Sequence, residues 1–293
     1  MSYFLETLIS GLFAGAMYAL VAIGFVLIYK ASGVFNFAQG AMLLFSALAF
    51  VTLLEHGVHL VFALLLSAGL MIALAFAVER VVLRPLRNRD ALTLFMATLG
   101  LSYFIEGLAQ LLMGMDVHML DLGIPDVAVD FHGVSVSQYD VVATGIALAL
   151  VLVLSLSFSK TRLGVSLRAV ADDTLAAQSI GVSLPKIWRL VWSVAGFVAL
   201  VAGLVWGGRQ GVQYSLSLVT LKALPVLIIG GFSSIPGAIV GGLLVGASES
   251  LADIYLGPLV NGSVSTWFAY ILAVAFLLAR PAGLFGELKI ERV

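Results

Sequence analysis

The sequence has no cysteine, and Asp, Glu, Lys and Arg together supply only 11% of its 293 residues. The first absence excludes a secreted disulfide scaffold. The second excludes a soluble fold, because a soluble domain carries about 25% charged residues to cover its surface. The dipeptide Gly-Lys never occurs, so the chain has no phosphate-cradling loop ending in Gly-Lys-Ser/Thr and cannot energise itself by that route. There is also no Gly-x-Ser-x-Gly elbow and no His-Glu-x-x-His, which removes an intramembrane hydrolase. The net charge of −1 says nothing about partners, and nucleic acid is not expected for a chain of this class.

What is present is apolar: 61% hydrophobic residues and a mean hydropathy of +1.13. Stretches free of Asp, Glu, Lys and Arg cover 7–29, 31–54, 56–78, 141–159, 190–208, 223–248 and 254–279, and Glu106 alone interrupts 91–115. A membrane span needs roughly 20 such residues. The chain therefore reads as an all-α polytopic membrane protein, one transmembrane domain over 1–293 with about 8–9 helices. Its first apolar run lacks a basic leader and exceeds the length of a signal core, so it reads as a retained helix.

Basic residues set the orientation, since Lys- and Arg-rich loops stay cytoplasmic. They cluster at Lys30, at Arg80, Arg84, Arg87 and Arg89, from Lys160 to Arg189, and at Arg280, Lys289 and Arg292. Alternating spans place the N-terminus outside and the C-terminus inside, with Arg209 and Lys222 as exceptions. The segment 210–253 is ambiguous: Pro225 and the run GGFSSIPG at 230–237 break helices, giving either two short spans or a re-entrant pair. Nine crossings keep the basic C-terminus inside; eight with a re-entrant element is the alternative.

The external loop, about 115–140, has five aspartates and no basic residue. Weak alternation in 127–131 and 134–137 around His132 and Gly133 predicts a small hairpin. His118, His132, Asp116 and Asp121 have metal-ligand chemistry without metal-ligand spacing, as do His56 and His59; no metal site is expected. On the inside, about 160–189, Asp172 or Asp173 caps a short Ala-rich helix that Gly181 stops, with Pro185 beyond it. That helix is either a connector lying on the membrane surface or a knob for a groove on a partner.

Polar residues within spans are expensive and mark paths or interhelical bonds. Asn36 and Gln39 sit at a Gly33/Gly40 break, and Thr98, Ser102 and Glu106 recur every four residues on one helix face. Gln213, with Gln210 and Tyr214, falls at the outer end. Glu106, Lys222 and Glu249 read as isolated charges, a thin basis for an ion-coupled secondary transporter of small polar solutes, which is the alternative function; a structural scaffold is a third. Small-residue pairs at spacing four (Gly11/Gly15, Gly203/Gly207, Gly237/Gly241, Gly242/Gly246) serve close helix packing, within the chain or to a partner.

Several runs, in order along nearly the whole chain, resemble the branched-chain amino acid (and related amide) permeases of high-affinity ABC importers. They are LFAGAMYAL at 12–20, GFVLIYK at 24–30, NFAQG at 36–40, VLRPL at 82–86, RAVADD at 168–173 and GGFSSIPGA at 230–238. Within the permease pair the likeness is to the LivH-type member. The 160–189 segment resembles the coupling loop that docks on the ATPase, with Asp172-Asp173 where the wider superfamily has a leading Glu-Ala-Ala. The resemblance implies a permease subunit of the bacterial inner membrane that translocates branched-chain or related amino acids by alternating access and is not itself an enzyme. It implies that Ala171, Asp172, Asp173, Leu175, Ala176, Ser179, Ile180 and Gly181 engage an ATPase. The polar residues Asn36, Gln39, Thr98, Ser102, Glu106 and Gln213 are, by their position within or beside the spans, the candidates for the path. The implied partners are a second, LivM-type permease, two ABC ATPase subunits holding ATP and Mg, an extracytoplasmic (periplasmic) substrate-binding protein and membrane lipid. No cofactor is expected on this chain.

Overall fold

A computed structural model describes residues 2–86, 89–114, 116–125, 127–131, 134–260 and 262–286. Among the described residues the regular structure is helical apart from one hairpin and an isolated bridge. In order it forms α1 (Ser2–Ser32), α2 (Gln39–Glu55), α3 (Leu60–Val78), a π turn (Glu79–Leu83), α4 (Arg84–Leu86) and α5 (Ala91–Met113). Strands β1 (Ala128–Phe131) and β2 (Val134–Ser137) follow, then α6 (Gln138–Lys160), α7 (Arg162–Asp172), α8 (Thr174–Ser179) and α9 (Leu184–Gln210). A 3-10 turn (Tyr214–Leu218) leads into α10 (Val219–Gly230), α11 (Ile235–Val260) and α12 (Ser265–Ala279). Among the described residues six helices are long and apolar enough to cross a bilayer, and three further apolar helices are shorter.

Local chemistry explains most of these boundaries. Asp90 opens α5: its carboxylate accepts the Thr93 hydroxyl at 2.5 Å and the Thr93 amide at 3.3 Å. The Thr93 hydroxyl, and after it the nearby amides, hold this exposed carboxyl below the usual aspartate range. The hairpin pairs antiparallel in the register Ala128↔Ser137 to Phe131↔Val134. The two residues expected at its tip, His132 and Gly133, lie outside the described residues, as do Met115, Arg87, Lys289 and Arg292.

Three sequence expectations are corrected. Pro225 does not break its helix; α10 runs through it, and the interruption comes at residues 231–234, where Gly231 adopts φ +104°. A proline costs one amide bond, which lipid-embedded helices tolerate when neighbours supply partners. Pro185, read as a stop, stands in the first turn of α9, where its missing N–H is no loss. The run 254–279 is not one span: α11 continues to Val260 and α12 starts at Ser265. The cause is Asp253, whose Oδ1 accepts the amides of Val264 (2.7 Å) and Ser265 (3.0 Å) and the Ser263 hydroxyl (3.0 Å). A side chain from the preceding helix thus satisfies the first amides of the next.

The chain divides into two compact units, residues 1–26, 123–151 and 220–293, and residues 27–122 and 152–219. In the first, the small-residue pairs find each other. A Cβ placed on Gly11 would lie 2.7 Å from the Gly246 carbonyl oxygen, and one on Gly15 would lie 2.5 Å from that of Gly242. The spacing-four glycines of α1 and α11 are therefore packing surfaces for one another within this chain. Gly237 likewise meets the Gly230 backbone, closing α11 onto α10.

In the second unit α2 is central. Every residue from Gln39 to Val51 is buried, and the helix is wrapped by α3, α5, α9 and the 3-10 turn. A helix apolar on all sides needs such a wrapping. Gly203 of α9 admits the close approach, since a Cβ there would lie 2.7 Å from the Leu43 carbonyl oxygen. The Trp188 indole donates to the Ala31 carbonyl at 3.1 Å, fixing the start of α9 against the end of α1.

Candidate functional site

Two groups of residues in the second unit correspond to the expected coupling surface and path. The segment expected to couple is built on α7, whose buried face is Gly164, Leu167 and Val170. Gly164 sits so tightly on the Phe158 carbonyl that no Cβ fits there, and Arg168 Nη1 donates to the same carbonyl at 2.7 Å. These contacts fold α7 back against the end of α6. Asp173 then ends α7 and opens α8, its Oδ1 accepting the amides of Leu175 and Ala176, each at 2.9 Å. Asp172 caps no helix among the described residues, which resolves the choice between the two carboxylates. Gly181, at φ +92°, ends the turn, with Val182 N donating to the Ala177 carbonyl at 3.0 Å.

All eight expected coupling residues are exposed: Ala171, Asp172, Asp173, Leu175, Ala176, Ser179, Ile180 and Gly181. Ala177 alone anchors α8 inward. Leu175 is 77% exposed and Ile180 78% exposed, a pair of apolar side chains held on a capped turn of six residues. Exposed apolar side chains of this kind suit a groove on a partner protein and equally a connector lying on the membrane surface.

The expected path residues are brought together only in part. Asn36, Gln39 and Thr98 are buried around the break at 33–38. The Thr98 hydroxyl lies 3.0 Å from the Phe95 carbonyl, 3.3 Å from that of Phe35 and 3.4 Å from the Phe37 amide. It holds the break against α5, with Phe37 edge-on to Phe35 and Phe95 at 4.7 Å each. Asn36 Oδ1 accepts the Ala38 amide at 3.1 Å, and Gln39 Nε2 donates to the Ala195 carbonyl at 3.4 Å. Gln39 Oε1 is buried without a partner among the described residues. Toward the other end of α5, Glu106 accepts from the Tyr214 hydroxyl at 3.3 Å, and Gln213 and Tyr214 line a cleft with Gln110 and Asp116. Ser102 lies between, half-buried. The stripe thus divides: Thr98 is spent on interhelical bonding, and Glu106 is bonded to Tyr214, which lines the cleft.

Sequence reasoning missed two pairings. Lys222 and Glu249, read as isolated charges, form an ion pair in the first unit, with the Lys222 ammonium 5.8 Å from the centre of the Tyr18 ring. Nothing in the sequence links positions 27 residues apart on different helices. Removing one partner leaves an uncompensated charge, which costs about 3–5 kcal/mol when the site is buried. Glu249→Leu is expected to lower the thermal midpoint of the detergent-solubilised protein sharply. Adding Lys222→Met should restore most of the loss; a single variant as stable as the parent would remove the pair's structural role. The other missed contact joins the end of α2 to the segments that follow α5 and α9: His118 Nδ1 lies 2.8 Å from Glu55 Oε1, and His118 pairs backbone to backbone with Val212. Among the described residues no group of three or more His, Asp or Glu is placed to hold a metal.

Comparison with known proteins gives a consistent picture. The chain is 29% identical over 314 residues to the high-affinity branched-chain amino acid transport system permease protein LivH of Salmonella typhimurium, covering 99% of this chain and 98% of that protein. It is 30% identical over 306 residues to BraD, the permease protein of the corresponding system of Pseudomonas aeruginosa, covering 99% and 98%. The probable LivH of Methanocaldococcus jannaschii is 29% identical over 287 residues, covering 91% and 88%. Among solved structures, PsaBC from Streptococcus pneumoniae in complex with Fab superposes with a TM-score of 0.52 at 14% identity, over 92% of this chain and 89% of that one, a likeness of fold alone. Residues 7–280 match the sequence profile described as branched-chain amino acid transport system / permease component, and the chain belongs to that family.

Proposed function

We propose that this chain is one permease half of an ATP-driven importer that carries branched-chain or related amino acids into the cytoplasm by alternating access. The observation that carries the reading is the family match over residues 7–280. The chain has no phosphate-binding loop of its own, so the power comes from two ABC ATPase subunits with ATP and Mg. A second, LivM-type permease completes the pathway, and an extracytoplasmic binding protein delivers the substrate. Leu175 and Ile180 on α8 enter a groove on one ATPase, and α7 transmits its movement to α9, against which it packs. The path runs along polar groups of the second unit, from Gln213 at the cleft past the half-buried Glu106 and Ser102 to the buried Gln39 and Asn36 at the break, with Thr98 holding its wall. A zwitterion needs such donors and acceptors where water is scarce. In this arrangement the N-terminus is outside and the C-terminus in the cytoplasm of a bacterial inner-membrane protein.

Proteoliposomes carrying the complete assembly, with ATP on the ATPase side, are expected to take up labelled leucine, isoleucine or valine only when the binding protein is present. Uptake by this chain alone under a proton or sodium gradient, without ATP, would instead establish the ion-coupled carrier.

A further inference from the structure

A second polar feature of the 27–122 and 152–219 unit lies outside the coupling surface and the path. Where α3 passes into the π turn and α4, it forms with the first turns of α9 a pocket of about 270 Å³. Three guanidiniums line it, those of Arg80, Arg84 and Arg189, against one carboxylate, that of Glu79. Glu79 is only 4% exposed and lies 3.8 Å from Arg189 Nε. Arg189 is pinned further, its Nε donating to the Pro185 carbonyl at 3.1 Å and its guanidinium lying 5.4 Å from the centre of the Phe76 ring. Arg80 and Arg84 have no acidic or hydrogen-bonding partner among the described residues. The pocket therefore has a surplus of unneutralised guanidinium donors, the groups that match the oxygen geometry of phosphate.

The other wall decides the source of that phosphate. Phe76 is half-exposed and stands at the end of α3, a helix whose long apolar window is only 28% buried. An apolar wall continuous with a largely exposed apolar helix, in the same pocket as Arg80 and Arg84, matches the boundary between acyl chain and headgroup. We propose that this pocket binds the phosphate of an anionic phospholipid, its acyl chains lying along α3. The assignment of the pocket to the cytoplasmic leaflet rests on the orientation given above; the binding itself does not.

The test uses the full chain, purified with the subunits that accompany it, in nanodiscs of phosphatidylcholine containing phosphatidylglycerol. Native mass spectrometry is expected to show retained phosphatidylglycerol, and neutralising the arginines by Arg80→Gln and Arg84→Gln should weaken retention about fivefold for each. Both side chains are exposed, so the variants are expected to fold as the parent does. The control is Lys160→Gln with Arg162→Gln, exposed charges away from the pocket. Equal loss in the control means a diffuse surface effect and overturns the site, as does unchanged retention in the arginine variants. Displacement of the lipid by an equal concentration of inorganic phosphate assigns the pocket to a free anion and overturns the lipid. Both leaflets of a nanodisc have the same composition, so an orientation error leaves these outcomes intact. Orientation is read separately, by labelling Ser159→Cys in a chain without native cysteine.

Discussion

Replacing Leu175 and Ile180 together with Glu is expected to abolish co-purification of the ATPase subunits while leaving membrane insertion and thermal stability unchanged. Both side chains are more than three-quarters exposed, so the substitutions bury nothing within the chain. Exposed changes of this kind usually shift stability by no more than about 0.5 kcal/mol. The effect at the interface is of another order. Apolar anchors seated in a partner's pocket cost about 2 kcal/mol or more each when truncated, and a carboxylate in the same pocket adds its desolvation. The association should weaken by well over about a hundredfold, and ATP-driven uptake should fall with it. Asp173→Ala is the graded companion, since it removes the acceptor for two amides of α8 at about 1 kcal/mol and loosens the knob without changing its surface. Normal recovery of the ATPases with the doubly charged variant would place the coupling surface elsewhere.

A second large effect is expected inside the bilayer. Gly15→Leu places a side chain where the Cβ alone would lie 2.5 Å from the Gly242 carbonyl oxygen and 2.9 Å from the Leu243 Cα. Both obstacles are backbone, so no rotamer change relieves the overlap and α1 and α11 must separate. Overpacking in a filled core costs about 1–3 kcal/mol when side chains can yield, and here they cannot. The prediction is loss of monodisperse protein after solubilisation. Gly100→Ala supplies the contrast: Gly100 is also mid-helix, yet a Cβ there meets nothing within 4 Å. That variant should be as stable as the parent or up to about 1 kcal/mol more stable, through helix propensity alone. Equal behaviour of the two variants would mean that the α1–α11 approach is looser than its glycines indicate.

These two predictions draw on residues of different legibility. The coupling segment could be outlined from sequence because its determinants are local. A carboxylate at Asp173 caps the amides two and three residues ahead, and Gly181 accepts the positive φ that ends the turn. The interruption after α10 was visible for the same reason. The glycine pairs were visible only as half of an interaction. Their spacing announced a flat helix face, and the identity of the opposing face came from the packing of α1 on α11.

Where determinants are distant in sequence, reading failed in identifiable ways. Residues 254–279 looked like one uncharged span because hydropathy does not register a turn whose amides are capped by Asp253 of the previous helix. Lys222 and Glu249 looked isolated because the rotation of α10 about α11 that makes them a pair leaves no trace in either segment alone. Thr98 looked like one of three equal members of a polar stripe. Its hydroxyl is in fact engaged by the backbone of the break at 33–38, whereas Glu106 reaches Tyr214 across the fold.

The sequence by itself determined the solvent of this protein, the approximate positions of its spans, the ends set by neighbouring caps and glycines, and the short capped turn proposed for coupling. Each of these follows from transfer free energy or from hydrogen bonds a few residues long, which act on a segment wherever it lies. Tertiary structure alone decided which glycines meet, which charges pair, where the last apolar run turns, and that three arginines from two separated segments share one pocket. Those outcomes depend on the rotation and register of one helix against another. In a bilayer, apolar side chains interact with lipid about as well as with each other. Burial therefore sets helix orientation only weakly, and shape and scarce polar contacts make the choice.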